Sequence, residues 1–127
     1  MFGNDAGNGG VLARSEVAER LKQELPRWYE AQGLICRDYR TGGWRATLML
    51  ANAVGHLAEA AFHHPDLHLS YGLFKVTLKT HSADGITEKD LELARRIEAL
   101  IMWRPAGEEG ALEGIPNDPR FKYVEYD

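Results

Sequence analysis

The sequence predicts an α+β domain, in which a four-stranded antiparallel sheet carries helices on one face. Two pairs of short segments alternate apolar and polar residues, which is typical of half-buried strands. Three longer segments repeat apolar residues every three or four positions, which is typical of amphipathic helices. Their order along the chain is α-β-β-α-β-β-α, and a sheet covered by helices on one face satisfies that order.

Residues 1–14 are rich in glycine and asparagine and are predicted to form a flexible arm. Ser15 is predicted to cap the first helix, whose apolar residues recur every four positions until Pro26 ends it. Two strands are predicted to follow, at residues 28–32 and 34–41, with a glycine at the turn between them.

A long second helix is predicted to begin at Trp44. It must end near His63, because Pro65 disfavours helical geometry at the residue before it. A second pair of strands is predicted from the alternation of apolar residues at 67–71 and 74–80.

The third helix is predicted to open with a capping box, since Thr87 and Asp90 stand at the N-cap and N3 positions. We interpret Asp90 as a structural residue on this ground. The domain then comprises residues 15–103, and residues 104–127 form an extension rich in glycine and proline. The aromatic side chains from Pro119 onward are costly to leave in water, so we expect this segment to lie against a protein surface. The predicted buried stripe of the third helix comprises Leu91, Ala94, Ile97, Leu100 and Ile101.

Composition excludes several classes of protein. The chain has 127 residues, which is enough for one domain with a modest core. Its net charge of −4 and the lack of a basic stripe argue against a nucleic-acid partner. Its most apolar stretch, residues 47–62, contains His56 and Glu59, so it does not predict a membrane span. The amino-terminal residues lack the pattern of a secretory signal, and the single cysteine, Cys36, is predicted to be a buried thiol. We therefore expect a reducing, cytoplasmic location.

Three histidines, His63, His64 and His81, are the candidates for chemistry. Glu59 and His63 are four residues apart on one helix, so the carboxylate can hydrogen-bond the imidazole. His64 points elsewhere, because Pro65 imposes extended geometry on it. If the last two strands pair, His81 returns to the neighbourhood of the other two histidines. Three imidazoles at one rim suit acid–base chemistry near neutral pH.

Other interpretations of these residues are simpler. A histidine at the end of a helix is commonly structural, because the helix dipole favours its charged form. Adjacent histidines chelate one ion poorly and no cysteine assists them, so a metal site at His63, His64 and His68 is disfavoured and we predict no metal. A tryptophan such as Trp28 is more often a core residue than a platform for a ligand.

The chain also carries a motif of polar and aromatic residues at fixed spacing, Glu59-x3-His63-His64-Pro65-x5-Tyr71-x9-His81-x8-Asp90. This motif, together with the sequence Thr80-His81 and the later Gly85-Ile86-Thr87, resembles the signature of the pterin-4a-carbinolamine dehydratases. The resemblance covers about residues 15–103 and includes the order of elements.

The resemblance implies the predicted fold, assembled into homodimers or tetramers, an expectation that the open sheet face and two sheet edges also favour. It implies that the protein removes water from a 4a-hydroxytetrahydropterin to give the quinonoid dihydropterin, without metal or organic cofactor. His63 and His81 would be the acid–base pair, and His64 would bind the substrate. The further substrate-binding residues would be Glu59, which orients a histidine or the pterin, Trp28, which covers the pterin ring, and Thr80.

The chain departs from the family pattern at several positions. Phe62 stands where the family often has a polar residue, and Asp66-Leu67 replaces a common Glu-Trp pair. Residues 43–45 and 47–50 resemble a bacterial branch found beside α-carboxysomes and associated with Rubisco assembly. The leading hypothesis is a dehydratase. The alternative is a non-catalytic member of the same fold that acts as an assembly factor, with Rubisco subunits as its partners.

Overall fold

The computed structural model describes residues 9–127 and confirms the predicted order of elements. No helix among these residues is long and apolar enough to cross a membrane. The elements are α1 (Arg14–Glu24), β1 (Tyr29–Ala31), β2 (Leu34–Arg40), α2 (Trp44–Ala61), β3 (Asp66–Ser70), β4 (Leu73–Leu78) and α3 (Glu88–Ile101). Two short 3-10 helices lie in the carboxyl-terminal extension, at Gly107–Glu109 and Pro119–Phe121.

The four strands form one antiparallel sheet in the order β1-β2-β4-β3. In its central pair, Ile35 lies opposite Leu78 and Tyr39 lies opposite Phe74, and all four side chains are buried. Because alternate residues of a strand point to opposite sides, these pairs define the face on which the helices pack. The predicted α+β fold class is confirmed.

The first helix begins earlier than predicted. α1 starts after Ala13, whose side chain makes no capping hydrogen bond, so the prediction of Ser15 as the N-cap is wrong. Residues 1–8 of the predicted arm lie outside the described residues. The part of the arm that follows is docked, because Leu12 is buried and its amide donates to the carbonyl of Ile86 at 2.8 Å.

The second helix ends near His63, as predicted. Phe62 follows α2 in the left-handed helical conformation, with φ 51° and ψ 46°. The amide of His63 then donates back to the carbonyl of Ala58 at 3.1 Å, which closes the helix. This reversal delivers His63 and His64 to the start of β3.

The capping box at the start of α3 is also confirmed. The amide of Thr87 donates to the Asp90 carboxylate at 2.9 Å. The predicted apolar stripe of α3 is buried except for Leu100, of which 46% is exposed in the last turn, and Leu93 is buried in addition.

The end of the carboxyl-terminal extension packs on its own chain. Val124 is buried and bridges to Thr41, just after β2. The amide of Thr41 donates to the turn before β4, so Val124 lies on the other side of Thr41. This is the side of β2 on which β1 pairs with residues 34–36. Two backbone hydrogen bonds flank the bridge, from Gly42 to Tyr123 at 2.9 Å and from Glu125 to Arg40 at 3.0 Å. The expectation of a docked segment is confirmed for these residues.

Candidate active site

His63 lies against the start of α3 and is held by a carboxylate. Its Nε2 is 2.6 Å from Oδ1 of Asp90, and 15% of its side chain is exposed. An ionised carboxylate can only accept hydrogen bonds, so with Asp90 ionised Nε2 carries the hydrogen. Nδ1 is then the free nitrogen of the neutral ring and can accept a proton.

Asp90 is fully buried, and both of its carboxylate oxygens are engaged. Oδ1 faces His63, while Oδ2 accepts from the Thr80 hydroxyl at 2.8 Å and from the Thr87 amide at 2.9 Å. The two threonine hydroxyls also hydrogen-bond each other at 2.7 Å. A carboxylate fixed on both oxygens fixes the orientation of the imidazole bound to it.

Glu59 lies beside His64 and not beside His63, which corrects the expected pairing. Oε1 of Glu59 is 2.9 Å from Nε2 of His64, and both side chains are largely exposed. The i,i+4 argument for Glu59 and His63 fails because α2 ends at Ala61 and Phe62 turns the chain in the left-handed sense. The Glu59 carboxylate can still hold one tautomer of an imidazole, that of His64.

Thr80 and His81 follow β4 at the same end of the sheet. Asp66 pairs with Thr77. The residues that precede Asp66, back to His63, therefore lie at the same end of the sheet as the residues that follow Thr77, up to Thr80. His81 is exposed in the turn that joins Thr80 to Gly85. Thr80 is buried and its hydroxyl donates to Asp90, so the Asp90 carboxylate links Thr80 to His63.

Trp28 is not part of this group. Only 4% of it is exposed, and its indole nitrogen donates to Glu98 at 2.9 Å, about 12 Å along α3 from Asp90. Arg37 and Tyr39 also donate to Glu98. Burial opposes the charge of Glu98, but these hydrogen bonds outweigh burial and hold its pKa below the usual range. The core position leaves Trp28 no exposed face with which to cover a pterin, and this expected role is not retained.

The remaining histidines, His56 and His68, are exposed on α2 and β3. Among residues 9–127, no group of three or more histidine, cysteine or acidic side chains is arranged to hold a metal ion. A hollow of about 1000 Å³ lies within the extension and another of about 490 Å³ lies beside α1, and the histidines line neither of these.

Comparison with known proteins connects this arrangement to a family. The sequence pattern of the family described as Pterin 4 alpha carbinolamine dehydratase matches residues 11–100. The chain belongs to this family. The resemblance carried by the histidine motif is thereby confirmed, and the carboxyl-terminal extension lies outside the matched region.

Individual members of the family match over most of their length. A protein of Aquifex aeolicus named as a pterin-4-alpha-carbinolamine dehydratase is 41% identical over 90 residues, which cover 71% of this chain and 90% of that protein. A protein of Streptomyces coelicolor with the same name is 43% identical over 90 residues, which cover 70% of this chain and 88% of that protein.

A solved structure of the family shows the same fold, and a second solved structure is more distant. A protein of Brucella melitensis described as a transcriptional coactivator/pterin dehydratase is 29% identical, with a TM-score of 0.65 over 71% of this chain and 97% of that chain. A pterin dehydratase-like protein described as a RuBisCO assembly factor in the alpha-carboxysome is 20% identical, with a TM-score of 0.48 over 58% of this chain and 86% of that chain. The likeness to this second structure carries no argument about function, so the role in Rubisco assembly stays a prediction.

Asp90 is the residue whose role the sequence interpretation underestimated. The capping box accounts for one oxygen of Asp90, and the other oxygen holds His63, which is 27 residues away in the chain. A capping pattern is local and does not reveal a distant partner. The available signal was the fixed spacing of Asp90 from the histidines within the family motif.

Proposed function

We propose that this pterin dehydratase family member removes water from a 4a-hydroxytetrahydropterin and yields the quinonoid dihydropterin. The observation that carries the proposal is the His63–Asp90 pair, an imidazole oriented by a fully buried carboxylate within the family's motif. Such a pair is the arrangement expected of a positioned acid or base.

The reaction requires two proton transfers and no change of oxidation state. A proton is delivered to the 4a-hydroxyl oxygen, the bond from C4a to that oxygen breaks, and the group leaves as water. The proton on N5 is removed, and the electron pair of that N–H bond forms the double bond between N5 and C4a. One acid and one base therefore suffice, so no cofactor is required.

His63 and His81 supply these two groups in the proposal. His63 presents Nδ1 as the free nitrogen because Asp90 occupies Nε2. The exposed ring of His81, at the same end of the sheet, exchanges the second proton with the substrate. His64 and Glu59 bind the polar edge of the pterin, and Thr80 acts on the site through Asp90 without touching the substrate.

The test is to follow dehydration of freshly prepared 4a-hydroxytetrahydropterin by its ultraviolet absorbance, against the uncatalysed rate. His63→Gln, which keeps a donor for Asp90, and His81→Ala should each reduce kcat by roughly 10²–10⁴. His56→Ala is the matched control, because it removes an exposed histidine outside the group. A wild-type protein that does not accelerate the reaction would refute the proposal, and equal rates for all three variants would refute the assignment of roles.

A further inference from the structure

Phe62, at the candidate site, has an apolar side chain exposed to water and a backbone conformation that aromatic residues seldom adopt. With 82% of its surface exposed, it is the most exposed large apolar side chain among residues 9–127. Its backbone is left-handed, at φ 51° and ψ 46°. Glycine or asparagine occupies this conformation after a helix more readily than an aromatic residue does.

The ring of Phe62 lies against the imidazole of His64. Its centroid lies 5.4 Å from that of the His64 imidazole, and the two planes cross at 81°. The two rings therefore meet nearly at right angles, with the apolar ring beside the polar one. His63, the residue that follows Phe62 in the chain, is fixed on Asp90.

An exposed aromatic ring beside an imidazole suits a flat heterocycle. A molecule stacked on the Phe62 ring would lie nearly perpendicular to the His64 ring, with the hydrogen-bonding groups of the heterocycle at its edge. Aromatic side chains contribute stacking and apolar contact, whereas a short polar side chain at this position would contribute only a contact to the edge.

We infer that Phe62 is a substrate-binding residue that stacks on the bicyclic ring of the pterin and favours flat, aromatic-faced substrates. This inference rests on the proposed function. It gives a reason for the left-handed backbone and the exposed ring at one position, because the ring becomes covered when the substrate binds.

The experiment compares Phe62→Asn with Phe121→Ala. Asparagine accepts the left-handed conformation, so Phe62→Asn should fold with an unchanged or higher Tm while lacking the ring. Phe121 is an exposed phenylalanine in the extension and serves as the control. The probe is 7,8-dihydrobiopterin, a flat reduced pterin without a 4a-hydroxyl, and its Kd is measured by titration calorimetry.

We expect Phe62→Asn to raise the Kd roughly tenfold and to raise KM more than it lowers kcat, as expected when one stacking contact is lost. Phe121→Ala should leave both values unchanged. If the wild type turns over substrate and Phe62→Asn binds the probe as tightly as wild type, the inference is overturned and the proposed function stands. A reduced solution mass of Phe62→Asn at unchanged Kd would also overturn it, because the ring would then cover a second copy. A wild type that neither turns over substrate nor binds the probe would remove both proposals.

Discussion

Replacing Asp90 by asparagine removes the charge of the buried carboxylate while keeping its size. Three donors point at this carboxylate, from His63, Thr80 and Thr87. An asparagine side chain offers one accepting oxygen and one donating amide. If the oxygen stays on the two threonine donors, the amide faces Nε2 of His63. Nε2 must then accept, and the ring hydrogen moves to Nδ1.

The expected loss of stability follows from the contacts that each variant leaves. Asp90→Asn keeps the helix cap and loses one charge-assisted hydrogen bond, so the free energy of unfolding should fall by about 2 kcal/mol. Asp90→Ala removes the acceptor of three donors, each at about 1–3 kcal/mol, so the loss should be about 3–9 kcal/mol. That loss is close to the whole stability of a small domain, about 5–15 kcal/mol. Asparagine is therefore the informative substitution.

We expect Asp90→Asn to lose activity even when the protein remains folded. In Asp90→Asn the free nitrogen of His63 carries a hydrogen and no longer a lone pair, so kcat should fall by about 10² or more. The assays are urea unfolding for stability, turnover for kcat and KM, and nitrogen chemical shifts of the imidazole for the tautomer. Glu59→Gln is the control, because it removes a charge from the exposed His64 contact. Wild-type kcat in a folded Asp90→Asn with an inverted tautomer would refute the reasoning.

Three further predictions concern the rest of the molecule. The pKa of Glu98 is lowered in the folded chain, so its contribution to stability is complete above its ordinary pKa of about 4.3 and is lost as the pH falls through the lowered value. Glu98→Gln should therefore lose less stability than wild type when urea unfolding is repeated at pH values below about 4.3, and a parallel loss would contradict this. Val124→Ala should lower the free energy of unfolding by about 1–2 kcal/mol, because Val124 is buried, while Leu112→Ala in the exposed part of the extension should not; equal effects would show that the docking adds nothing. Burial raises the pKa of the Cys36 thiol, so the native protein should react slowly with an aromatic disulfide reagent and rapidly in urea; fast native labelling would contradict the burial.

Most of the fold could be predicted, because its signals are local and agree with one another. Alternation in β2 and β4 and the capping box at Thr87 each depend on residues close in sequence. The start of α1 differs from the prediction because Ser15 has the right chemistry for a cap but lies inside the helix. A helix can begin without a side-chain cap when tertiary packing holds it, as the buried Val17 and Leu21 do here.

Spacing in the sequence named the three histidines as candidates, but it did not predict their contacts. Asp90 was expected only in the helix cap, and the partner of each imidazole depends on where a helix ends. Because Phe62 turns the chain in the left-handed sense, Glu59 contacts the imidazole of His64 instead of that of His63. Trp28 could not be placed from sequence, since the partly buried carboxylate of Glu98 that accepts its indole hydrogen is 70 residues away.

The docking of the extension on β2 has a consequence for colloidal behaviour. β1 pairs with only residues 34–36, so the second half of β2 would otherwise present unpaired backbone groups on that side. The segment around Val124 fills this place, and its backbone takes up the hydrogen bonds of Arg40 and Gly42. An unpaired strand edge is a template for another chain. A molecule without the extension would therefore expose this part of β2 as an unpaired edge, to which a strand of another molecule can add in concentrated solution.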